Sequence, residues 1–174
     1  MTSPGKRASH ALILRPPPPA VAEIAAVQAR AGGDPVPAAA LAITIAWFGY
    51  ENANAAALVR QVLSVMSGLA LPSRRMVLDR MTATPTALLL RPAEPLPGLD
   101  MLGAALAEAL ARAGVAPAPG WRFRPQLTIA RGPGLRAGPL DPISWTADAV
   151  ELVRNRSGHL VREPLGAWKL TDIG

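Results

Sequence analysis

The sequence contains no cysteine and only two histidines, His10 and His159, which lie far apart along the chain. The absence of cysteine excludes disulfide bonds and thiolate metal sites, and it is compatible with a reducing cytoplasm. Two separated histidines are a poor basis for a metal site within one chain. We therefore expect neither a metal ion nor another cofactor.

Long hydrophobic runs are also missing from the sequence. No apolar stretch approaches the ~20 residues that a membrane span requires. The polar residues 1–7 and the short apolar stretch after them do not form a secretory signal. We expect a cytoplasmic protein with no membrane partner. Half of the 174 residues are hydrophobic, which is enough for the core of one domain of this length.

Acidic residues are fewer than basic ones, 12 against 18, and the formal net charge is +6. A positive surplus favours a phosphate-bearing partner. The arginines are scattered and form no run, so an ordinary basic surface in an arginine-rich composition explains the charge equally well.

Hydrophobic periodicity, with proline and glycine as breaks, predicts strands mixed with helices. Strands are predicted at residues 10–15, 41–48, 75–82, 86–91, 123–131, 145–154 and 160–170, and helices at 21–31, 54–67 and 99–113. This order predicts an α+β fold with two pseudo-symmetric lobes, each an antiparallel sheet with packed helices, around a central groove. Residues 1–8 are expected to be a flexible tail, and residues 9–174 a single bilobal domain.

Two of the predicted strands share the pattern x-Thr-Ile-Ala, with Thr44 and Thr128 in register 84 residues apart. Side chains on a strand alternate between its two faces. In the first strand, alternation groups Ala42, Thr44 and Ala46 on one face, opposite Ile43, Ile45 and Trp47. In the second strand, it groups Gln126, Thr128 and Ala130, opposite Leu127 and Ile129.

Two threonines that face one groove would form an anion site, because hydroxyl groups donate hydrogen bonds to phosphate oxygens without ionising. Arg122, Arg124 and Arg131 lie close enough in sequence to add charge-assisted bonds. Threonine is also an ordinary β-branched strand residue. The spacing alone therefore leaves both interpretations open.

The segment RPQLTIAR, preceded by Phe123, resembles the second signature of the 2H phosphoesterase superfamily, which includes bacterial 2'-5' RNA ligases and RNA 2',3'-cyclic phosphodiesterases. That signature is His-x-Thr-hydrophobic-Ala-Arg after Phe-Arg-Pro. LAITIAWFG resembles the first signature, His-x-Thr-hydrophobic-Ala followed by aromatic residues and glycine. The surrounding layout agrees over residues 10–170. The resemblance implies a two-lobed α+β fold with pseudo-two-fold symmetry.

The resemblance also implies roles for the motif residues. In the family each motif begins with a histidine; one is the general base, the other is the general acid, and the threonines hold the phosphate. Here Ala42 and Gln126 occupy these catalytic positions, and neither side chain titrates near neutral pH. Because each such group is typically worth ~10²–10⁴-fold, their loss implies little phosphodiesterase turnover. The expected phosphate-binding residues are Thr44, Thr128, Arg131 and Gln126.

Three hypotheses follow from this departure. The first is a catalytically impaired relative, degenerate by nature or substituted to trap a ligand, that binds RNA ends or a small phosphorylated nucleotide. The second is an active phosphoesterase with a rearranged acid/base set that uses His10 or His159. The third is a non-catalytic protein-interaction module with a vestigial groove. Spare carboxylates without a spacing argument are Asp79, Glu51 and Asp148. The sequence indicates no oligomeric state.

Four aromatic residues flank the two motifs: Trp47, Phe48, Trp121 and Phe123. Aromatic rings beside a phosphate site are candidates to stack on a nucleobase. Such residues also commonly belong to a core or its rim. Alternation places Trp47 on the apolar face of its strand, which favours the core for that residue.

Overall fold

Ten strands and three α-helices make up the part of the chain that the computed structural model describes, residues 7–156 and 158–172. The strands are β1 (Ser9–Leu14), β2 (Asp34–Pro35), β3 (Ile43–Tyr50), β4 (Arg74–Leu78), β5 (Arg80–Ala83), β6 (Ala87–Arg91), β7 (Leu127–Arg131), β8 (Ile143–Ala147), β9 (Ala149–Arg156) and β10 (Val161–Lys169). The helices are α1 (Pro18–Ala31), α2 (Ala55–Ser67) and α3 (Pro97–Arg112), and a 3₁₀ turn spans Ala38–Ala40.

Two four-stranded antiparallel sheets form the two lobes. The first has the strand order β10-β9-β1-β3, and the second has the order β2-β7-β6-β5. A third, two-stranded antiparallel sheet pairs β4 with β8. Each large sheet contains one of the x-Thr-Ile-Ala strands, β3 in the first and β7 in the second. The predicted α+β class and the two antiparallel lobes are confirmed.

The helices pack on the sheets through the apolar stripes that their sequences predict. In α3 the buried residues are Leu99, Leu102, Leu106 and Leu110. Residues three or four apart lie on one face of a helix, so a single leucine stripe covers the sheet. Prolines occupy the first turn of α1, where their fixed φ suits a helix start and no backbone hydrogen bond is lost.

Two predicted strands are each divided at an aspartate. Residues 75–82 form β4 and β5, which are separated by Asp79 and pair with different partners, β8 and β6. Residues 145–154 form the end of β8 and most of β9, separated by Asp148. Asp79 accepts a hydrogen bond from the Ala93 backbone N–H at 2.6 Å. The chain passes from one sheet to another at each aspartate, a change that hydrophobic periodicity cannot reveal.

Three smaller expectations are also corrected. The strand predicted over residues 41–48 begins at Ile43 and runs on to Tyr50, with Gly49 at a positive φ of 87° inside β3. The second motif strand begins at Leu127 and not at Phe123, since Pro125 has no N–H for a sheet hydrogen bond. The connector at residues 34–40 contains the short strand β2.

The predicted tail falls mainly on residues 1–6, which lie outside the described residues. Within the described ranges, no helix has the length and apolar character needed to cross a membrane.

Candidate functional site

A β-bulge follows the threonine of the first motif strand. In the pairing of β3 with β1, Thr44 faces Ile13 and Ala46 faces Leu12. One step along β1 thus corresponds to two steps along β3, and Ile45 is the extra residue.

The second motif strand has the same irregularity at the same place. In the pairing of β7 with β6, Thr128 faces Leu89 and Ala130 faces Leu88, so Ile129 is the extra residue. Ile45 and Ile129 each follow the motif threonine directly. The sequence repeat is therefore also a repeat of backbone geometry.

The bulges reverse the alternation of side chains after each threonine. Ala46 and Ala130 turn inward and are 4% and 0% exposed. Trp47 and Arg131 turn the other way and line the cleft with the threonines. The prediction that the two alanines share the threonine face was wrong, as was the grouping of Trp47 with the strand's apolar residues, because strict alternation assumes a strand without a bulge.

A cleft of about 400 Å³ brings the residues of the two motifs together. Ala42, Thr44, Gln126, Thr128 and Arg131 all line it. The sequence pattern therefore located one shared cavity from two segments more than 80 residues apart.

Four arginines line this cleft, namely Arg122, Arg124, Arg131 and Arg162. Among the described residues, no aspartate or glutamate lines it. Positive charge without a compensating carboxylate creates a potential that attracts anions, and guanidinium groups bind phosphate through charge-assisted hydrogen bonds.

Arg162 enters the cleft from β10 and is fixed by two neutral acceptors. Its Nε donates to the Ala40 carbonyl at 2.8 Å, and its Nη1 donates to Asn155 Oδ1 at 2.9 Å. Asn155 is buried and donates from Nδ2 to Ser9 Oγ at 3.3 Å. Sequence reasoning missed Arg162 and Asn155, because neither belongs to a motif and only the sheet pairing of β9 with β10 brings them to the cleft.

Burial, followed by the nearby positive charges of Arg15 and Arg131, lowers the pKa of Arg162 to about 10. Arg15 itself is paired with Glu151 at 2.6 Å. Arg162 remains a cation at neutral pH. The downward shift of its pKa reflects burial of the charge beside two other cations.

His159 is the one histidine that lines the cleft within the described residues. It lies in the turn between β9 and β10 with a positive φ of 70°. Burial, then the charges of Arg162 and Arg131, lower the pKa of His159 below its ordinary value of 6.5. The imidazole is therefore neutral at pH 7.

His10 does not line the cleft. It is 4% exposed, and its Nε2 lies 3.5 Å from Glu51 Oε1 in a group that includes Arg154. The structure thus places His159, and not His10, among the residues that line the cleft with the motif threonines. The three spare carboxylates Glu51, Asp79 and Asp148 also lie outside the lining. No group of three potential metal ligands occurs in the described part of the chain.

Aromatic residues form one wall of the cleft. Trp47, Tyr50 and Trp121 line it, and the rings of Trp47 and Tyr50 meet edge to face with centroids 5.3 Å apart. The Nε1 of Trp47 is buried and has no hydrogen-bond partner among the described residues. Phe48 and Phe123 do not line the cleft and pack against the core, and Trp121 contacts the core as well as lining the cleft. Of the four flanking aromatics, two thus line the cleft.

Comparison with known proteins identifies the fold. No family model matches the chain, and no curated protein matches it. Among solved structures, a phosphoesterase is similar with a TM-score of 0.77 and 21% identity, over 95% of this chain and 99% of that one. E. coli LigT complexed with 3'-AMP is similar over the same shares, with a TM-score of 0.74 and 21% identity. LigT complexed with phosphate gives a TM-score of 0.72 and 20% identity, again over these shares.

These similarities show that the chain has the fold of the LigT-like phosphoesterases. This is the fold that the resemblance to the 2H superfamily implied.

Proposed function

We propose that the cleft binds a phosphate-bearing nucleotide or RNA end and does not use the two-histidine chemistry of the 2H phosphoesterases. The observation that carries this proposal is the lining of the cleft. Two motif threonines and four arginines line it without a carboxylate among the described residues. The two positions where the family places its histidines are occupied by Ala42 and Gln126.

The binding part of the proposal assigns a donor to each side of the phosphate. Thr44 and Thr128 lie at matching places in the two lobes, one on each side of the cleft. Their hydroxyl groups donate to phosphate oxygens, and Arg131 adds a charge-assisted bond. Gln126 supplies a neutral amide donor from the position that precedes Thr128 by two residues.

The catalytic part of the proposal follows from the chemistry of two side chains. Ala42 is 7% exposed and packs in an apolar cluster with Ala11, Ile13 and Val153, against which Trp47 also packs. No water-activating group stands at this position. Gln126 donates a hydrogen bond but does not release a proton near neutral pH. We therefore propose a protein that holds phosphate without cleaving the ester at an appreciable rate.

The similar solved structures are consistent with a nucleotide as the ligand. LigT has been crystallised with 3'-AMP, with phosphate, with ATP and with NADP⁺. We extend the ligand class of those complexes to this chain because the folds agree and the cleft is basic. RNA ends and free nucleotides of this kind occur in the cytoplasm, which is where we propose that the protein acts.

A second candidate function is slow phosphoester hydrolysis with His159 as the proton acceptor. One observation favours it: His159 lines the same cleft, and its lowered pKa keeps the imidazole neutral and able to accept a proton at pH 7. The third hypothesis, a vestigial groove in an interaction module, predicts a filled or apolar cavity. The open cleft, which four arginines line, does not match that prediction.

Calorimetric titration with 2',3'-cyclic AMP tests the binding proposal. Thr44→Val/Thr128→Val removes both hydroxyl groups with little change in shape, and we expect affinity to fall by about 10–100-fold, since hydrogen bonds to charged groups contribute about 1.5–3 kcal/mol. Thr146→Val, at an exposed position on β8, is the matched control. Binding of neither 2',3'-cyclic AMP nor 3'-AMP by the wild type, or equal binding of the nucleotides by the double variant, would contradict the proposal.

A turnover assay separates the two candidate functions. We expect the wild type at high enzyme concentration to leave 2',3'-cyclic AMP intact over hours. Hydrolysis that is present in the wild type and absent in His159→Gln would establish the second candidate instead.

A further inference from the structure

We infer that the cleft selects a terminal phosphomonoester dianion over a cyclic phosphate or diester monoanion, with Arg162 as the specificity-determining contact and Asn155 as its positioning residue. The inference rests on the proposed function, because it requires phosphate to bind in this cleft. It goes further by naming the chemical state of the phosphate and a residue outside both motifs.

The first observation is that Arg162 is a partly buried cation without an anionic partner. Both of its acceptors, the Ala40 carbonyl and the Asn155 amide oxygen, are neutral. Other arginines of the same sheet have a carboxylate: Arg15 is paired with Glu151, and Arg154 with Glu51. Among the described residues, Arg162 has no carboxylate within salt-bridge distance. An anion from outside the chain would therefore stabilise this partly buried cation.

The second observation is that a further cation lies beside it. Arg131 lines the cleft together with Arg162, and its positive charge contributes to the lowered pKa of Arg162. The Arg131 side chain donates no hydrogen bond to any residue in the described ranges. Two guanidinium groups that repel each other are satisfied better by two negative charges than by one.

The chemistry of the phosphate then distinguishes two ligand classes. A phosphomonoester carries a charge of about −1.5 to −2 at pH 7, with a second pKa near 6, and it presents three acceptor oxygens. A cyclic phosphate has two of its oxygens esterified and carries one negative charge at any pH near neutrality. Arg131, Arg162 and the motif threonines supply donors for three terminal oxygens. The donor set therefore matches the monoester.

Protonation of the chain's own groups strengthens the binding of both ligands. The charged groups that line the cleft with Arg162 are Arg122, Arg124 and Arg131, and Arg15, which is paired with Glu151, also acts on its pKa. Of the described residues that line the cleft, His159 is the one histidine, and burial with the charges of Arg162 and Arg131 lowers its pKa below 6.5. Its protonation on acidification strengthens the binding of every anion. The ratio of two affinities, rather than either affinity, is therefore the measured quantity.

Titration calorimetry of the full chain with 3'-AMP and with 2',3'-cyclic AMP compares the two phosphate types on one nucleoside. At about pH 7.5 we expect 3'-AMP to bind at least about 10-fold more tightly, as an added charge-assisted bond predicts. At about pH 5 the monoester is largely a monoanion, and the ratio should fall towards one. This comparison uses only the wild-type protein, so its result does not depend on whether a variant folds.

Two variants test the assignment to Arg162. Arg162→Gln removes the charge and should reduce 3'-AMP affinity by about 10–100-fold, with a smaller loss for the cyclic nucleotide. Asn155→Asp keeps the shape and gives Arg162 the carboxylate that it lacks, so the fold should be retained while the preference for the dianion disappears. Arg60→Gln, an exposed position on α2, makes the same change in net charge and should leave both affinities unaltered.

The outcomes separate this inference from the proposed function. Equal affinity of the wild type for both nucleotides at pH 7.5 would overturn the inference and leave the proposed function standing. Binding of neither nucleotide would overturn both. A full preference for 3'-AMP in Asn155→Asp, with circular dichroism showing an intact fold, would overturn the role of Arg162.

Discussion

Ile45 and Ile129 are the extra residues of two β-bulges that occupy matching places in the two lobes. The second bulge is also held by hydrogen bonds from groups that do not belong to its pairing partner β6. The Ile129 carbonyl accepts hydrogen bonds from the Val36 N–H and from Gln28 Nε2, both at 2.9 Å. The reversal that turns Arg131 into the cleft is therefore held by β7's other neighbours, β2 and α1.

The bulges predict at which positions of the motif strands a larger side chain destabilises the protein. Ala46 and Ala130 are core residues, so Ala46→Leu and Ala130→Leu should each lower the free energy of unfolding by about 1–3 kcal/mol through overpacking. Strict alternation would instead place both alanines beside the open cleft, where leucine is tolerated. Urea denaturation measures the difference, with Ala83→Leu at an exposed position of β5 as the control. Unchanged stability in both variants would contradict the bulge geometry.

Gln28 links α1 to the second bulge, and its loss should affect both stability and binding. Its Nε2 donates to the carbonyls of Val36 and Ile129. In Gln28→Leu both acceptors lose a partner, and we expect a loss of about 1–3 kcal/mol in unfolding free energy. We also expect weaker phosphate binding through Arg131. Gln61→Leu, exposed on α2, should change neither quantity.

The aromatic wall predicts a spectroscopic distinction between ligands. Trp47 and Trp121 line the cleft, whereas Trp145 is 8% exposed on β8. We expect 3'-AMP to quench tryptophan fluorescence by stacking its base on this wall, and inorganic phosphate to leave the emission nearly unchanged. Trp47→Phe/Trp121→Phe should remove the quenching. Equal quenching by both ligands would show that the signal does not report base stacking.

Local sequence features predicted the parts of this molecule that depend on short-range chemistry. The leucine stripe of α3 and the strand around Thr44 follow from spacing alone, and the two threonines shared one cavity as expected. Features that depend on strand pairing were missed. Trp47 lines the cleft because of a bulge, and Arg162 reaches it because β10 pairs with β9. No pattern within either segment encodes these neighbours.

Acidification should destabilise the protein through its two partly or fully buried histidines. Burial is the main cause that lowers the pKa of His10 below 6.5, and the same holds for His159. The unfolded chain then binds more protons, so stability is present above about pH 6.5 and is lost as the pH falls towards the lowered folded pKa values. Glu51, whose pKa is lowered by its hydrogen bond from Arg154, loses its contribution only at lower pH. The urea midpoint should fall less between pH 7.5 and 5.5 in His10→Gln/His159→Gln than in the wild type, and an identical fall would contradict this account.

Histidines introduced at positions 42 and 126 should convert the cleft into a catalyst. The variant Ala42→His/Gln126→His places a general acid and a general base beside Thr44 and Thr128, and each group is typically worth about 10²–10⁴-fold in rate. Trp47 packs against the apolar cluster that contains Ala42, so a second version with Trp47→Leu gives the new imidazole room. We expect hydrolysis of 2',3'-cyclic AMP at least about 100-fold above the wild type, measured by chromatography. Adding Thr44→Val/Thr128→Val should abolish the gain if the threonines hold the phosphate, and a gain that survives this change would place the reaction elsewhere.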